Sequence, residues 1–247
     1  METKDSGDIK KKYLNSRNNQ GETTETPKNI CNGNITRKQE EILNLITQYR
    51  YMNLSQIKRK LWGQDDRKAQ IQLSKHFNQK VIDSLKAQGI LKEKNGILRT
   101  NARGEGSPHQ ISIVDCLLLL ESEAKKQSFG FQFTYDWIDE NLRPDAAVIF
   151  TDTNRYLLCY LEVHLETEPE TTLSEKLEKY SRINVDQFKE LWKRYADNFS
   201  LRFPRNYGFR VIVFSHKKRV FSSKRFVSIV FGEESIGEKI FLEERNV

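Results

Sequence analysis

Asp145 and Glu162 are the two residues of this 247-residue chain whose type and spacing best suit metal-assisted chemistry. They sit on two apolar strands predicted over Ala146 to Phe150 and Tyr156 to Val163, joined by the polar turn Thr151-Asp152-Thr153-Asn154. With that turn centred between Asp152 and Thr153, Asp145 falls opposite Tyr160. Glu162 is then its diagonal neighbour on the same face, since same-face residues recur every second position. Diagonal neighbours are about 7–8 Å apart, near enough for two carboxylates to close on one cation. A slip of one residue would send them to opposite faces. Magnesium suits such a partial cage of one or two carboxylates, waters and substrate phosphate oxygens. There it positions a water, lowers the water's pKa and screens charge building on a phosphodiester.

Other groups could assist. Glu162 lies in the otherwise apolar run Leu157 to His164, where a carboxylate is costly unless paired or metal-bound. His164, two residues on, is a candidate general base or third metal ligand. Lys176, on the helix predicted next, is a candidate source of fixed positive charge, and Glu121 or Glu123 a further carboxylate. The competing reading makes Asp145 a plain strand start and Glu162 half of a buried ion pair with Lys176. The acidic run Glu166, Glu168, Glu170 reads as a solvated loop. Lys217-Lys218-Arg219 and Lys224-Arg225 suit a DNA backbone or ordinary surface equally. The histidines have no zinc spacing, and neither a Ser-His-Asp arrangement nor a phosphate-cradling glycine motif is visible.

The elements that must position these groups are legible from periodicity. A helix is predicted over about 110–127, with Ile113, Leu117 and Leu120 inward. Phe129 to Tyr135 alternates as a strand, and the two strands around Asp145 and Glu162 follow. Thr171 to about Phe199 is helical with a break near Asn184, carrying Leu173, Leu177, Tyr180, Phe188, Leu191 and Tyr195 at helical spacing. Strands over Arg210 to Ser215 and Phe226 to Phe231 complete an α-β-β-β-α-β order, an α+β domain with a mixed sheet flanked by helices.

The first half has a different character. Thr36 is a predicted N-cap with Gln39 as its capping-box partner, opening a helix over about 37–50 with Ile42, Leu45, Ile46 and Tyr49 in a stripe. A short helix after Asn53 carries Ile57, Leu61 and Trp62. A third runs from about Asp66 to Gln88, with Leu73, Phe77, Val81 or Ile82, and Leu85 inward, and ends at Gly89. Ile90 to Lys94 and Ile97 to Thr100 flank Asn95-Gly96, a strong hairpin signal. Three helices and a hairpin are the winged-helix order, in which the third helix enters the major groove and the hairpin meets the backbone. Lys75, His76, Gln79 and Lys80 on that helix, with Lys92 and Lys94 on the wing, are the candidate DNA contacts. Winged helices also serve as protein-protein modules, and these residues would then be a solvated face. Charge favours nucleic acid: residues 1–110 hold 21 Lys and Arg against 12 Asp and Glu, the remainder 20 against 22.

Together the motifs resemble a known pattern. Pro144-Asp145, a hairpin and Glu162-Val163-His164 within α-β-β-β-α-β are similar to the PD-(D/E)xK nuclease-like fold. Over roughly residues 36–215 the chain more narrowly resembles the replication-relaxation family of plasmid and mobile-element proteins. The resemblance is carried by His109-x5-Asp115, Pro144-Asp145, Glu162, Thr167-Glu168, Lys176 and Tyr180. It implies a DNA-binding protein acting in replication, mobilisation or maintenance of such an element, with replication or mobilisation proteins as partners. His164 departs from the wider fold, whose active nucleases usually place a lysine there. An ordinary imidazole is mostly neutral at pH 7, so the resemblance leaves cleavage open.

The chain divides, on this reading, into a disordered tail over 1–34 with Lys10-Lys11-Lys12 as a loose phosphate contact, a winged helix over 35–103, a Gly104–Pro108 linker, and the nuclease-like domain over 109–247. Its longest apolar run, Cys116 to Leu120, is too short to span a bilayer, and its N-terminus lacks a secretory apolar segment. Three cysteines, Cys31, Cys116 and Cys159, cannot all pair. The expected setting is the cytoplasm, with reduced thiols, double-stranded DNA as partner, no membrane, and a homodimer if the DNA site is two-fold.

Overall fold

The computed structural model describes residues 35–62, 74–100, 104–136, 141–153, 155–199, 201, 206–233 and 236–241. The tail, Cys31, Leu73 and the side chains of Trp62, Lys75, His76 and Phe77 lie outside the described residues. The chain is mixed α+β and divides into two compact units between Gly106 and Ser107, inside the stretch expected to be a linker. Among the described residues no helix is long and apolar enough to cross a membrane.

The first unit begins with helix α1 (Arg37–Tyr49), capped by the reciprocal Thr36–Gln39 bonds and burying Ile42, Leu43, Ile46 and Tyr49. Strand β1 (Tyr51–Asn53) leads to helix α2 (Leu54–Trp62). Asn53 and Gln56 cap that helix reciprocally, each donating a backbone N–H to the other's side chain at 2.9 Å. Helix α3 (Ser74–Ala87) ends in a Schellman arrangement: Ile90 N–H donates to Leu85 O at 3.0 Å and Gly89 N–H to Lys86 O at 2.9 Å, with Gly89 at φ +69°. Strands β2 (Leu91–Lys94) and β3 (Ile97–Thr100) form the expected hairpin. Asn95 and Gly96 both have positive φ, 53° and 76°, as a two-residue type I′ turn requires. Periodicity missed β1. Three residues are too few to show a period of two, and β1 is a strand only because Met52 pairs with Leu98.

The second unit opens with α4 (Pro108–Lys126), whose N-cap is Ser107 and whose first residue is Pro108. The two residues assigned to a linker therefore start the helix: the Ser107 hydroxyl accepts the Gln110 N–H, and proline suits the first helical position. Next come β4 (Gly130–Thr134), β5 (Ala146–Thr151), β6 (Arg155–His164), α5 (Glu170–Ser181), α6 (Val185–Asn198), β7 (Asn206–Ser215), β8 (Phe226–Val230) and α7 (Ile236–Phe241). The sheet order is β4-β5-β6-β7-β8, antiparallel from β4 to β6 and parallel from β6 to β8. One face of the sheet, with Ile149, Leu158, Tyr160, Val211 and Val213, packs on Leu173 and Tyr180 of α5 and Leu191, Trp192 and Tyr195 of α6. The opposite face carries Phe150, edge-on to Phe241 of α7 at 4.9 Å. Cys116 and Cys159 are buried thiols and are not joined in a disulfide.

The β5–β6 register differs from the expected one. Ala146 pairs with Leu161 and Thr151 with Tyr156, and Asp152 N–H donates to Arg155 O at 2.8 Å. The turn is thus centred one residue later than expected. Carried one step past the ladder, this register puts Asp145 opposite Glu162 rather than Tyr160. A displacement by two keeps the same face, so both carboxylates still share a side.

Candidate functional site

The two acids meet where β5 begins and β6 ends. Asp145 follows Pro144, which fixes φ and holds Arg143 out of the helical region. Its backbone N–H donates to Leu161 O at 3.0 Å, and its Oδ2 accepts the Val163 N–H at 2.7 Å. Glu162 is 2% exposed on the face covered by α5. Helix α5 turns Leu173, Lys176, Leu177 and Tyr180 toward that face at positions i, i+3, i+4 and i+7, so a lysine stands in an apolar stripe. Lys176 Nζ donates to Glu162 Oε2 at 2.6 Å and to Asp145 Oδ1 at 3.5 Å. The Tyr180 hydroxyl donates to Glu162 Oε1.

Burial, reinforced by the like charge of Asp145, pushes the Glu162 carboxyl from its ordinary 4.5 up to about 7, against the pull of Lys176 and Tyr180. Burial works against the Lys176 ammonium, but Asp145 and Glu162 together outweigh it and raise its pKa. Burial and the Glu162 charge raise the Tyr180 phenol as well. The shifts share one origin, two carboxylates around a single ammonium in a largely dry site.

A second layer surrounds this core. His109, in the first turn of α4, places Nε2 3.3 Å from Asp145 Oδ1 and Nδ1 2.8 Å from Glu168 Oε1. The latter contact is close but not aligned as a hydrogen bond. Glu168 also accepts the Leu165 N–H at 3.1 Å. No protein-family model and no curated protein matches this chain.

That geometry sorts the candidate residues. Asp145, Glu162 and Lys176 come together. His164, also buried, instead faces Glu168 Oε2 at 3.7 Å and Glu170 Oε1 at 3.5 Å. Glu123 binds Lys126 at 2.6 Å, and both it and Glu121 lie more than three helical turns beyond His109, about 18 Å or more along α4. In the acidic run Glu166 and Glu170 are exposed, as expected of a solvated loop, with Glu170 paired to Arg219 at 2.8 Å, while Glu168 is partly buried beside His109 and His164. Arg225 does not face outward as a backbone contact, because its guanidinium donates to Tyr180 O and Ile183 O and caps α5. Spacing gives Tyr180, Glu168 and His109 no role in the site, and only the family resemblance points to them. Their signals were faint: a tyrosine one turn after Lys176, and a histidine just inside a Ser-Pro helix start.

The donor set can take a divalent cation in a limited sense. Asp145 Oδ1 and Glu162 Oε2 converge on one ammonium, and their partner oxygens are committed elsewhere. Two such oxygens are what magnesium asks of a protein when waters and phosphate supply the rest. Among the described residues no group of three His, Cys, Asp or Glu side chains is placed to hold a metal.

On the first unit Gln79, Lys80, Lys92 and Lys94 are exposed. Gln79 donates to Asp83 at 3.0 Å, and Lys94 pairs with Glu105 at 2.7 Å. Among the four described candidates, Lys80 and Lys92 are exposed lysines with no ion pair.

Proposed function

We propose that this chain is a DNA-binding protein of a plasmid or other mobile element, related to the replication-relaxation family. In this reading it acts in the cytoplasm in replication, mobilisation or maintenance of that element, with a winged helix over the first unit and a PD-(D/E)xK nuclease-like second unit. The observation that carries it is the convergence of Asp145 and Glu162, from adjacent strands, on Lys176. The antiparallel β4-β5-β6 meander followed by a helical crossover to parallel β7 supports the nuclease-like assignment. Helices α1 to α3 with the β2–β3 hairpin, and the basic balance of residues 1–110, support the DNA-binding one.

An active magnesium-dependent endonuclease is the second reading, favoured by the two carboxylate oxygens left facing one cation. In it Asp145 and Glu162 hold the metal, which supplies an activated water and charge screening. Lys176 and His109 hold charge and protons beside them. The test is to incubate the full chain with supercoiled and branched DNA and Mg2+ or Mn2+, beside Asp145→Ala and Glu162→Ala. Cleavage lost in both variants establishes the nuclease. Salt-sensitive binding without cleavage leaves a DNA-binding scaffold. Failure to bind any duplex sinks both.

A further inference from the structure

We propose that Lys176 is an internal cation that a divalent metal must displace, so that Asp145 and Glu162 form a metal seat kept shut by the protein's own ammonium. The inference rests on reading the pair as a cation seat in a nuclease-like unit. Each carboxylate is pinned by a donor independent of the lysine, Asp145 by the Val163 N–H at 2.7 Å and Glu162 by the Tyr180 hydroxyl. The remaining oxygen of each turns to Lys176 Nζ. Removing the lysine therefore leaves the carboxylates in place, with Glu162 Oε2 freed and Asp145 Oδ1 still beside His109 Nε2 at 3.3 Å.

Lys176 is also the member built to leave. Its side chain is 31% exposed, against 12% for Asp145 and 2% for Glu162. An ammonium on a four-carbon stem can swing to solvent while its stem stays against apolar surface. The exchange is favourable in charge: Asp145, Glu162 and Glu168 face Lys176 and His109, so with the ring charged the group is one positive charge short, and a divalent ion in place of the ammonium makes that up. The displaced ammonium becomes free for a phosphate oxygen, and that phosphate can supply ligands that the protein does not. Metal and nucleic-acid phosphate should accordingly bind with positive coupling, each favouring the lysine-out state.

The experiment uses the full chain and Mn2+ alone as probe, measured by calorimetry or by loss of the free-ion paramagnetic signal. Lys176→Met should bind one Mn2+ about tenfold more tightly than the wild type. Adding Asp145→Asn to that variant should abolish binding. A second reading does not depend on any variant folding. Acylation of Lys176 in the wild-type chain, followed by mass spectrometry, should rise about threefold in millimolar Mn2+ as the ammonium leaves its ion pair. Equal Mn2+ affinity in wild type and Lys176→Met, or no rise in acylation, overturns the inference. If affinities are equal yet Asp145→Asn still abolishes binding, the metal seat stands and only the role of Lys176 fails. If no form binds Mn2+, the nuclease reading falls with the inference, while salt-dependent DNA binding is judged separately.

Discussion

His109 stands between two carboxylates, with Nδ1 2.8 Å from Glu168 Oε1 and Nε2 3.3 Å from Asp145 Oδ1. A carboxylate on each side of the ring favours its charged form. The hydrogen bond with Asp145 raises the His109 pKa; burial opposes it, the charges of Asp145 and Glu168 add to it, and Lys176 subtracts.

A histidine whose pKa is raised on folding contributes stability that is fully present below its ordinary 6.5 and is lost as pH rises through the folded value. His109→Gln should therefore cost about 1 kcal/mol at pH 5.5 and clearly less at pH 8.5. Urea denaturation at the two pH values checks this, and an equal cost at both would show that the charged ring contributes nothing.

Glu162 slopes the same way for a different reason. Its carboxyl titrates near 4.5 unfolded and at about 7 folded, so between those values the folded chain holds a proton that the unfolded chain has lost. Stability falls as pH rises across that window, by on the order of 3 kcal/mol. In Glu162→Gln this part of the slope should disappear. Parallel denaturation curves for the variant and wild type from pH 5 to 8 would contradict the assignment.

Tyr180→Phe should cost about 2 kcal/mol, because it strips a donor from a buried carboxylate. The ring keeps its packing on Tyr160, 5.4 Å between centroids, so little of the loss comes from cavity formation. Thermal or chemical denaturation gives the size. A neutral substitution would mean that Lys176 alone satisfies Glu162.

Gly89→Ala tests the end of α3. An added Cβ there meets nothing within 4 Å, so the expected cost of about 1 kcal/mol comes from φ +69° alone. Replacing Gly89 by Asn, which tolerates that region better, should recover part of it.

For the proposed DNA contacts, Lys80→Ala with Lys92→Ala should weaken duplex binding at every sequence tried and reduce the slope of log affinity against log salt by about 2. Fluorescence anisotropy over a salt series measures it. An unchanged slope would remove α3 and the hairpin from the interface.

Local chemistry in the sequence was enough to place most elements. The Thr36–Gln39 capping box, Gly89 and the Asn95-Gly96 turn act over a few residues, so the helix end and the hairpin could be read directly. The alternation around Asp145 and Glu162 likewise put both acids on one face, and that survived a change in register because strand sidedness repeats every two residues. What only the tertiary structure decided was who faces whom. His109 comes from a distant part of the chain and meets Glu168 by packing, as Arg225 meets the end of α5. Lys176 carried a trace of its role in sequence, as a charge in an apolar stripe. That it bridges two carboxylates depends on the crossover laying α5 across β6, a long-range choice that no local spacing encodes.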